Sequence, residues 1–357
     1  MKRHSRLFVI MALFLAVLVL FAACTQDTPA PPEPPAPTEA APPDTNGTEP
    51  VDPGAGPPQP AGFPAGALTG ICPWAAGGAT DIAFRAYMLA LSNEIGADIN
   101  VLNVTGGSGS IGITQALAAP PNGHTLAMLN YDTLSNEISG ITTDSFRDFH
   151  LISTFTIQHT NFFVHTDSGW DTFEDFREAA LDAIAEGNHL QIGVSGLWYH
   201  AAALMAREAG ITEGITIIPF PGSAELITEL LGGHLDGIAT TITIALPHIE
   251  AGTMAHLGTM REERMEEFPD VPTFIEMGYD VVQASFRAVG VHRDTPMEIV
   301  EWLRYKAELA FYRPEFYDWA IGAQADPVFL NAADTEAFLE ELQPVIREIM
   351  IDLGLAS

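Results

Sequence analysis

Two glycine-rich turns in the first third of the chain have the composition of anion-binding sites. The first spans residues 73–81 and reads PWAAGGATD, between an apolar strand pattern and a helical pattern. At a helix start the backbone N–H groups lack intrahelical partners, and glycine lets a ligand approach the backbone closely. The segment therefore predicts a site suited to a carboxylate. An ordinary strand–helix turn with Thr80 as N-cap explains the same residues equally well.

The second turn, residues 103–112, reads NVTGGSGSIG and also leads glycines and hydroxyl side chains into a helical pattern. It is not a P-loop, because no Gly-Lys-Ser/Thr follows. It is not a dinucleotide fingerprint either, because no acidic residue ends the following strand. Two such turns on adjacent strand–helix units would direct both helix starts at one place, so together they predict an anion site more strongly than either alone.

The elements that position these turns alternate between strands and helices. Predicted strands span residues 67–74, 99–103, 124–129, 151–157, 161–165, 190–194, 215–219 and 235–240. Predicted helices span residues 80–95, 110–119, 173–186, 199–208, 224–231, 297–311, 314–321 and 335–353. This alternation is typical of βαβ units and predicts an α/β fold with mixed, mostly parallel sheets.

Chain crossings near residues 158 and 284 separate two βαβ blocks and predict two lobes. The first lobe comprises residues 67–158 plus 285–357, and the second comprises residues 159–284. A cleft between the lobes is the place where ligands of α/β sheets bind.

The N-terminal segment predicts export and anchoring. Residues 1–23 combine early basic residues with an apolar run, which is typical of a secretory signal peptide. The run ends Ala-Ala-Cys, which resembles a bacterial lipobox, so Cys24 is the expected site of lipidation. A plain transmembrane anchor is the alternative, although the run is barely long enough to span a bilayer. Residues 24–66 are rich in Pro, Ala, Gly and acidic residues and predict an extended, solvated tether.

Composition excludes some classes of partner. The chain has 46 Asp and Glu against 15 Lys and Arg, a net charge of -31, which argues against nucleic-acid binding. With Cys24 lipidated, Cys72 is the only other cysteine, so no internal disulfide is expected. His159 and His165 have no third ligand at a recognisable spacing, so we expect no metal and no cofactor. Ser195 lacks the nucleophile elbow of hydrolases.

The motifs along the body resemble those of one receptor family. They are the two turns above followed by Arg85, then residues 121–126, 219–223, 231–236 and 268–273. In order and spacing they resemble the Bug solute-binding proteins, the extracytoplasmic receptors of tripartite tricarboxylate transporters. The resemblance extends from about residue 67 to the end of the chain. It implies a two-lobe, periplasmic-binding-protein-like (Venus flytrap) fold.

The resemblance also implies which residues hold the ligand. Backbone amides and hydroxyls of the first two turns would clamp one carboxylate, and the second lobe would add further hydrogen bonds. Carried over by position, the first-lobe residues are Trp74, Ala75, Gly78, Thr80, Asp81, Ser108, Gly109 and Ser110. The second-lobe residues are Ser195, Gly196, Gly222 and Ser223.

The segment 195–200, which reads SGLWYH, departs from the family pattern of a Gly-x-Gly-Ser turn before the His. Leu197, Trp198 and Tyr199 replace small hydroxylated residues of the family, or the turn is shortened. A bulky floor there would favour an aromatic or hydrophobic carboxylate, and Trp198 therefore joins the candidate ligand-binding residues. Alternatively, both side chains simply pack against the helix start.

The resemblance implies a monomeric, lipid-anchored extracytoplasmic receptor rather than an enzyme. It would capture a small carboxylate, either a di- or tricarboxylate or an aromatic acid, for membrane permease subunits. One alternative is a sensory receptor that signals to a kinase. Another is an exported enzyme acting on a small anion, which needs an acid–base pair beside the clamp, where the sequence offers only Asp81.

Overall fold

The computed structural model describes residues 56–196 and 198–356. The predicted signal peptide, the predicted lipidation site at Cys24 and the tether up to residue 55 lie outside the described residues, as do Leu197 and Ser357. None of the helices in the described part of the chain is both long enough and apolar enough to cross a membrane.

Eleven strands and ten α-helices make up the described body. The strands are β1 (Leu68–Cys72), β2 (Ile99–Asn103), β3 (Thr125–Asn130), β4 (Phe149–His159), β5 (Asn161–His165), β6 (Leu190–Val194), β7 (Ile215–Pro219), β8 (Gly237–Thr240), β9 (Met254–Thr259), β10 (Ala284–His292) and β11 (Pro327–Leu330). The helices are α1 (Ala79–Ile95), α2 (Ser110–Leu117), α3 (Tyr131–Ile138), α4 (Phe173–Glu186), α5 (Trp198–Glu208), α6 (Ser223–Leu231), α7 (Ile242–Glu250), α8 (Met297–Phe311), α9 (Pro314–Gly322) and α10 (Ala332–Asp352).

The strands form two mixed sheets. The first sheet has the order β11-β4-β10-β3-β1-β2, and the second has the order β7-β6-β8-β5-β9. Pairing is parallel where a helix connects successive strands, at β1–β2, β1–β3, β6–β7 and β6–β8. It is antiparallel at β10, β11 and β5. The prediction of an α/β fold with mixed sheets is confirmed. The parallel pairs are those of the βαβ units visible in the sequence, and the antiparallel strands lie beside the two chain crossings.

A polar network lies where the chain passes between the sheets. Arg287 of β10 is 1% exposed, and its Nη1 donates to Thr156 Oγ1 at 3.3 Å and to Gln158 Oε1. Burial lowers the pKa of Arg287 to about 10. Gln158 Nε2 in turn donates to Thr243 Oγ1 of α7 at 2.6 Å and to the carbonyl oxygen of Gln324 at 3.2 Å. Gln158 therefore links the first sheet to a helix of the second βαβ block.

Residues before β1 also pack into the core. Phe63 is 3% exposed and packs edge-on against the ring of Trp302 at 5.8 Å and that of His124 at 5.0 Å. Gln59 Nε2 donates to the Phe63 carbonyl oxygen at 2.9 Å. The last part of the segment expected to be a solvated tether, up to residue 66, thus contributes an aromatic side chain to the core. Burying one such ring contributes about 1.5–3 kcal/mol.

Candidate functional site

The first glycine-rich turn leads into α1 without a side-chain cap. Gly78 is the N-cap residue, in extended conformation, and no side chain accepts a hydrogen bond from the first turn of the helix. The interpretation of this segment as an ordinary turn capped by Thr80 is therefore wrong, because Thr80 lies within the first helical turn. The helix start presents its backbone N–H groups, as an anion site requires.

Asp81 is buried, and its carboxylate is occupied by the turn itself. Oδ2 accepts from the Gly77 backbone N–H at 2.9 Å, and Oδ1 accepts from Arg85 Nε at 2.9 Å and Asn103 Nδ2 at 2.8 Å. Asn103 Nδ2 also donates to the Trp74 carbonyl oxygen at 2.7 Å. Asp81 therefore fixes the first turn against the end of β2. The hypothesis of an exported enzyme depends on this carboxylate as its acid or base, and both of its oxygens already accept hydrogen bonds from these partners.

The second turn is a run of left-handed backbone. Gly106, Gly107, Ser108 and Gly109 have φ values of 120°, 55°, 50° and 90°. Glycine adopts these values readily, whereas an L-residue such as Ser108 costs about 1–2 kcal/mol in the left-handed region. Asn136 Nδ2 donates to the Ser108 carbonyl oxygen at 2.8 Å and holds the turn in place. Gly109 is the N-cap of α2, and again no side-chain cap is present. The turn uses the first N–H groups of the helix itself, because Ser110 N–H donates to the Gly107 carbonyl oxygen and Ile111 N–H donates to the Gly106 carbonyl oxygen at 3.5 Å.

Turns of the second βαβ block approach the first turn closely. The position that a Cβ on Gly78 would take is 3.4 Å from the backbone nitrogen of Ser223, and that on Gly222 is 3.0 Å from the Ala75 Cβ. Gly222 is the N-cap of α6, which also lacks a side-chain cap. Ser223 is buried, and its Oγ accepts from Thr240 Oγ1 at 3.3 Å. The structure thus brings together the segments at residues 74–81 and 222–223.

Trp74 joins these segments to the third one. Its ring lies against Gly196, where an added Cβ would be 2.8 Å from Cη2, and against Gly109, where an added Cβ would be 3.8 Å from Cε2. Trp74 is 9% exposed, and its Nε1 is buried without a hydrogen-bond partner among the described residues. An indole N–H is a donor only, and leaving it unpaired in the interior costs about 1–3 kcal/mol.

In segment 195–200, which departs from the family pattern, the two aromatic side chains lie in different environments. Trp198 is 5% exposed and packs in the hydrophobic core, so it does not form the floor of the cleft that the sequence suggested. Tyr199 is 36% exposed and lines a cavity instead. The carbonyl oxygens of Ser195 and Gly196 accept from the N–H groups of Trp198 at 3.3 Å and Tyr199 at 3.0 Å, which commits them to the start of α5.

That cavity has a volume of about 300 Å³ and is lined by residues of both βαβ blocks and of the C-terminal segment. Its lining includes Ser108, Asp132, Ser135, Asn136, Gly196, Tyr199, His200, Met350 and Leu355. Ser108 and Gly196 were candidates from the sequence, whereas Asp132, Ser135, Asn136 and His200 were missed. The first three lie on α3, whose apolar residues Tyr131, Leu134 and Ile138 are buried and spaced i, i+3 and i+7. This apolar stripe was one available signal, and the other was Asn130 followed three residues later by Thr133, which form a capping box at the helix start.

His200 contributes a neutral ring to this cavity. Burial lowers its pKa to about 4, and its Nδ1 is buried without a hydrogen-bond partner among the described residues. The ring centroid lies 5.7 Å from that of Tyr131. The described residues contain no group of three or more His, Cys, Asp or Glu side chains able to hold a metal ion.

Comparisons with known proteins agree with this architecture. The model of the TctC family, the tripartite tricarboxylate transporter family receptor, matches residues 83–355. A UPF0065 protein in the gbd 5′ region of Cupriavidus necator is 28% identical over 304 residues, covering 83% of this chain and 90% of that protein.

Two solved structures share the fold. The periplasmic binding protein BugD is 19% identical with a TM-score of 0.76, covering 82% of this chain and 99% of its own. An R. palustris protein solved with adipate is 22% identical with a TM-score of 0.74, again covering 82% and 99%. The predicted two-lobe fold of periplasmic binding proteins is thereby confirmed. With its family model matched over most of its length, the chain belongs to the tripartite tricarboxylate transporter receptor family, whose members are solute-binding receptors.

Proposed function

We propose that this receptor captures a small carboxylate between its two lobes. The observation that carries the proposal is Trp74 Nε1, a buried donor with no acceptor among the described residues, beside helix starts that lack side-chain caps. A carboxylate oxygen accepts from such an indole and from the backbone N–H groups at the starts of α1 and α6. It would thereby satisfy several donors together.

The negative charge of the whole protein does not oppose this proposal. Backbone N–H groups at a helix start carry about half a positive charge within the first turn, and this local field acts over a shorter range than the net charge. Adipate in the R. palustris structure is a ligand of this chemical class. Ser108 and Ser110 have hydroxyl groups beside the second helix start, so they would add further donors to the same carboxylate.

Binding would be coupled to closure of the lobes. We assign residues 67–158 plus 285–357 to the first lobe and 159–284 to the second, which turn about the crossing at Gln158 and the segment before β10. A ligand docked on the turns before α1 and α2 then gains hydrogen bonds from the turn before α6. The approach of Gly78 to Ser223 is the kind of contact expected of the closed form.

We further propose that Cys24 is lipidated and that residues 24–55 tether the body to the outer face of the membrane or to a periplasmic leaflet. The receptor would then deliver its solute, as a monomer, to permease subunits of a tripartite tricarboxylate transporter. Metabolic labelling with a fatty-acid analogue tests the anchor, because a Cys24→Ala variant should lose both the label and membrane association.

A thermal-shift screen tests the ligand class. Aliphatic and aromatic carboxylates are compared with sugars and simple cations, using the protein without its tether. At about 100 times its dissociation constant, a true ligand adds about 2.7 kcal/mol to the free energy of unfolding. Trp74→Phe should weaken binding about tenfold, whereas Trp319→Phe, a half-buried tryptophan on α9, should not. A shift with sugars or cations alone, or unchanged binding by Trp74→Phe, would overturn the proposal.

A further inference from the structure

The C-terminal end of the chain lies between elements of the two sheets. Helix α10 packs on β4 and α3, beside the first sheet, and it also contacts α5. Helix α5 in turn packs on β6 and β7 of the second sheet. Residues 353–356, which we call the C-terminal tail, follow α10 directly.

The first half of α10 is fixed to the first sheet. Thr335 Oγ1 accepts a hydrogen bond from the backbone N–H of Thr154 in β4 at 3.0 Å. The ring of Phe338 packs edge-on against that of Phe286 in β10, with 5.7 Å between the centroids. Because both contacts join α10 to strands of one sheet, the helix must move together with that sheet in a hinge motion.

The end of α10 has the geometry of a Schellman motif. Leu353 is the C-cap residue, and Gly354 has a φ of 70°, in the left-handed region that glycine adopts readily. The N–H groups of Gly354 and Leu355 donate to the carbonyl oxygens of Ile351 at 2.9 Å and Met350 at 2.7 Å, as this motif requires. The tail is therefore held in a defined position relative to α10.

The tail faces the second sheet with apolar side chains. Leu353 and Leu355 line a cavity of about 380 Å³ whose other walls come from α5, β7 and the turn between them. Leu355 also lines the candidate ligand cavity of about 300 Å³, together with Met350, Tyr199 and His200. Leu355 therefore borders both cavities, beside the start of α5.

A hinge motion that opens the cleft must change these contacts. The tail moves with the first sheet, whereas Tyr199 on α5 moves with the second. Separation of the two would expose more of Leu355 and Tyr199 to water, and the loss of apolar burial opposes opening. Apolar contacts have no fixed direction, so they can break and re-form without leaving buried polar groups unpaired.

We propose that the C-terminal tail is a latch that holds the two lobes in the closed form. The inference rests on the proposed function, because a latch requires lobes that open and close. The contact is made by the protein alone, so it favours closure before a ligand arrives. It also stabilises the closed complex and thereby slows release of the ligand.

Distances between two spin labels, measured without ligand by electron–electron double resonance, test the latch. The labels are attached at Gln115→Cys on α2 and Glu250→Cys on α7, both of which are exposed. The chain begins at residue 24 and carries Cys24→Ser. Cys72 is buried, so the two new thiols take the labels. Protein with the native tail should give a population at the shorter, closed distance.

Deletion of residues 353–357 should lower the ratio of closed to open protein about fivefold or more, because apolar burial between the tail and α5 is lost. Leu355→Ser keeps the Schellman motif and should lower the ratio about threefold. Leu181→Ser on α4 is the matched control, because Leu181 is 37% exposed and Leu355 38%. It should leave the ratio unchanged. Thermal unfolding confirms that each variant is folded.

Unchanged distances in both tail variants would overturn the latch, as would native-tail protein without the shorter distance. An equal change in Leu181→Ser would also overturn it, because loss of an apolar side chain elsewhere would then open the lobes just as well. The measurement is made without ligand, so its result does not depend on whether a carboxylate binds. The thermal-shift screen decides that question separately.

Discussion

Gly78 and Ser223 face each other across the cleft so closely that a Cβ on Gly78 would lie 3.4 Å from the Ser223 backbone nitrogen. Each residue belongs to a helix start without a side-chain cap. The φ of Gly78, −76°, is open to any residue. A Cβ there would be in ordinary van der Waals contact with the Ser223 nitrogen and, also at 3.4 Å, with the Ala75 carbonyl oxygen, so only a side chain larger than alanine would obstruct the approach of Ser223. A larger side chain at position 78 should therefore impair closure of the lobes without impairing folding.

Replacing Gly78 by valine should weaken ligand binding about tenfold or more, because the side chain would occupy the space that Ser223 takes up on closure. The unliganded protein should unfold near the wild-type temperature. Gly66→Val is the matched control, because a Cβ there meets nothing within 4 Å. Titration calorimetry measures the affinities, and small-angle scattering with ligand should show a larger radius of gyration for Gly78→Val. Wild-type affinity in Gly78→Val would contradict the closed geometry.

Gly196→Ala tests the contact between Trp74 and the second lobe. Both Gly196 and Gly210 have positive φ, 55° and 70°, so alanine at either position should reduce the free energy of unfolding by about 1 kcal/mol. Only at Gly196 would the new Cβ meet Trp74, at 2.8 Å, whereas space is open at Gly210. Ligand affinity should therefore fall about tenfold in Gly196→Ala and stay unchanged in Gly210→Ala. Equal affinities in titration calorimetry would show that Trp74 and Gly196 do not meet in the bound state.

Asp81→Asn should lower the free energy of unfolding by about 2–4 kcal/mol. The amide cannot reproduce the buried carboxylate that accepts from Gly77, Arg85 and Asn103. Glu301→Gln removes an exposed carboxylate that pairs with Arg304 at 2.8 Å, and it should change stability by no more than about 0.5 kcal/mol. Urea unfolding measures both variants. Wild-type stability in Asp81→Asn would mean that the first turn does not depend on this carboxylate.

Three partly buried histidines should make stability depend on pH. The pKa values of His159, His200 and His256 are lowered to about 4, mainly by burial, and at His159 the positive charge of Arg261 contributes to this lowering. Unfolded histidines titrate near 6.5, so between these values the unfolded chain binds more protons than the native protein. The free energy of unfolding is therefore highest above about pH 6.5 and falls as the pH drops toward 4.

Urea unfolding at pH 6 and pH 5 checks this prediction. His256→Gln should reduce the pH slope by about 1.4 kcal/mol per pH unit, which is the contribution of one proton. His189→Gln replaces an exposed histidine and should leave the slope unchanged. A stability that rises as the pH falls, or an unchanged slope in His256→Gln, would contradict the assigned burial.

The parts of the site that were predictable from sequence are those whose local chemistry is unusual. Glycines at positions 77, 78, 106, 107 and 109 stand at strand–helix junctions, and the direction of βαβ units places such junctions at one edge of a sheet. The neighbours of Trp74 could not be predicted, because the approach of Gly196 depends on how two lobes meet. The way in which the two lobes meet leaves no periodic pattern or motif spacing in the sequence.

Other misses have a related cause. Strands β9, β10 and β11 and helices α3 and α7 were not predicted. Asp132 and Asn136 are polar residues that are buried where α3 packs. Prediction from sequence expects polar residues at the surface, so it does not identify these two as buried. Phe63 looked like part of a tether because its neighbours are Pro, Ala and Gly, yet a pocket beside Trp302 buries it.

The indole N–H of Trp74 tests the central claim most directly. The chain has five tryptophans, so a ¹⁵N-labelled protein should give five indole signals, and the one missing from Trp74→Phe identifies this residue. Addition of a bound carboxylate should move that signal downfield, because its N–H gains an acceptor, while the signal missing from Trp319→Phe stays in place. A saturating carboxylate that leaves the Trp74 signal unmoved would contradict the account.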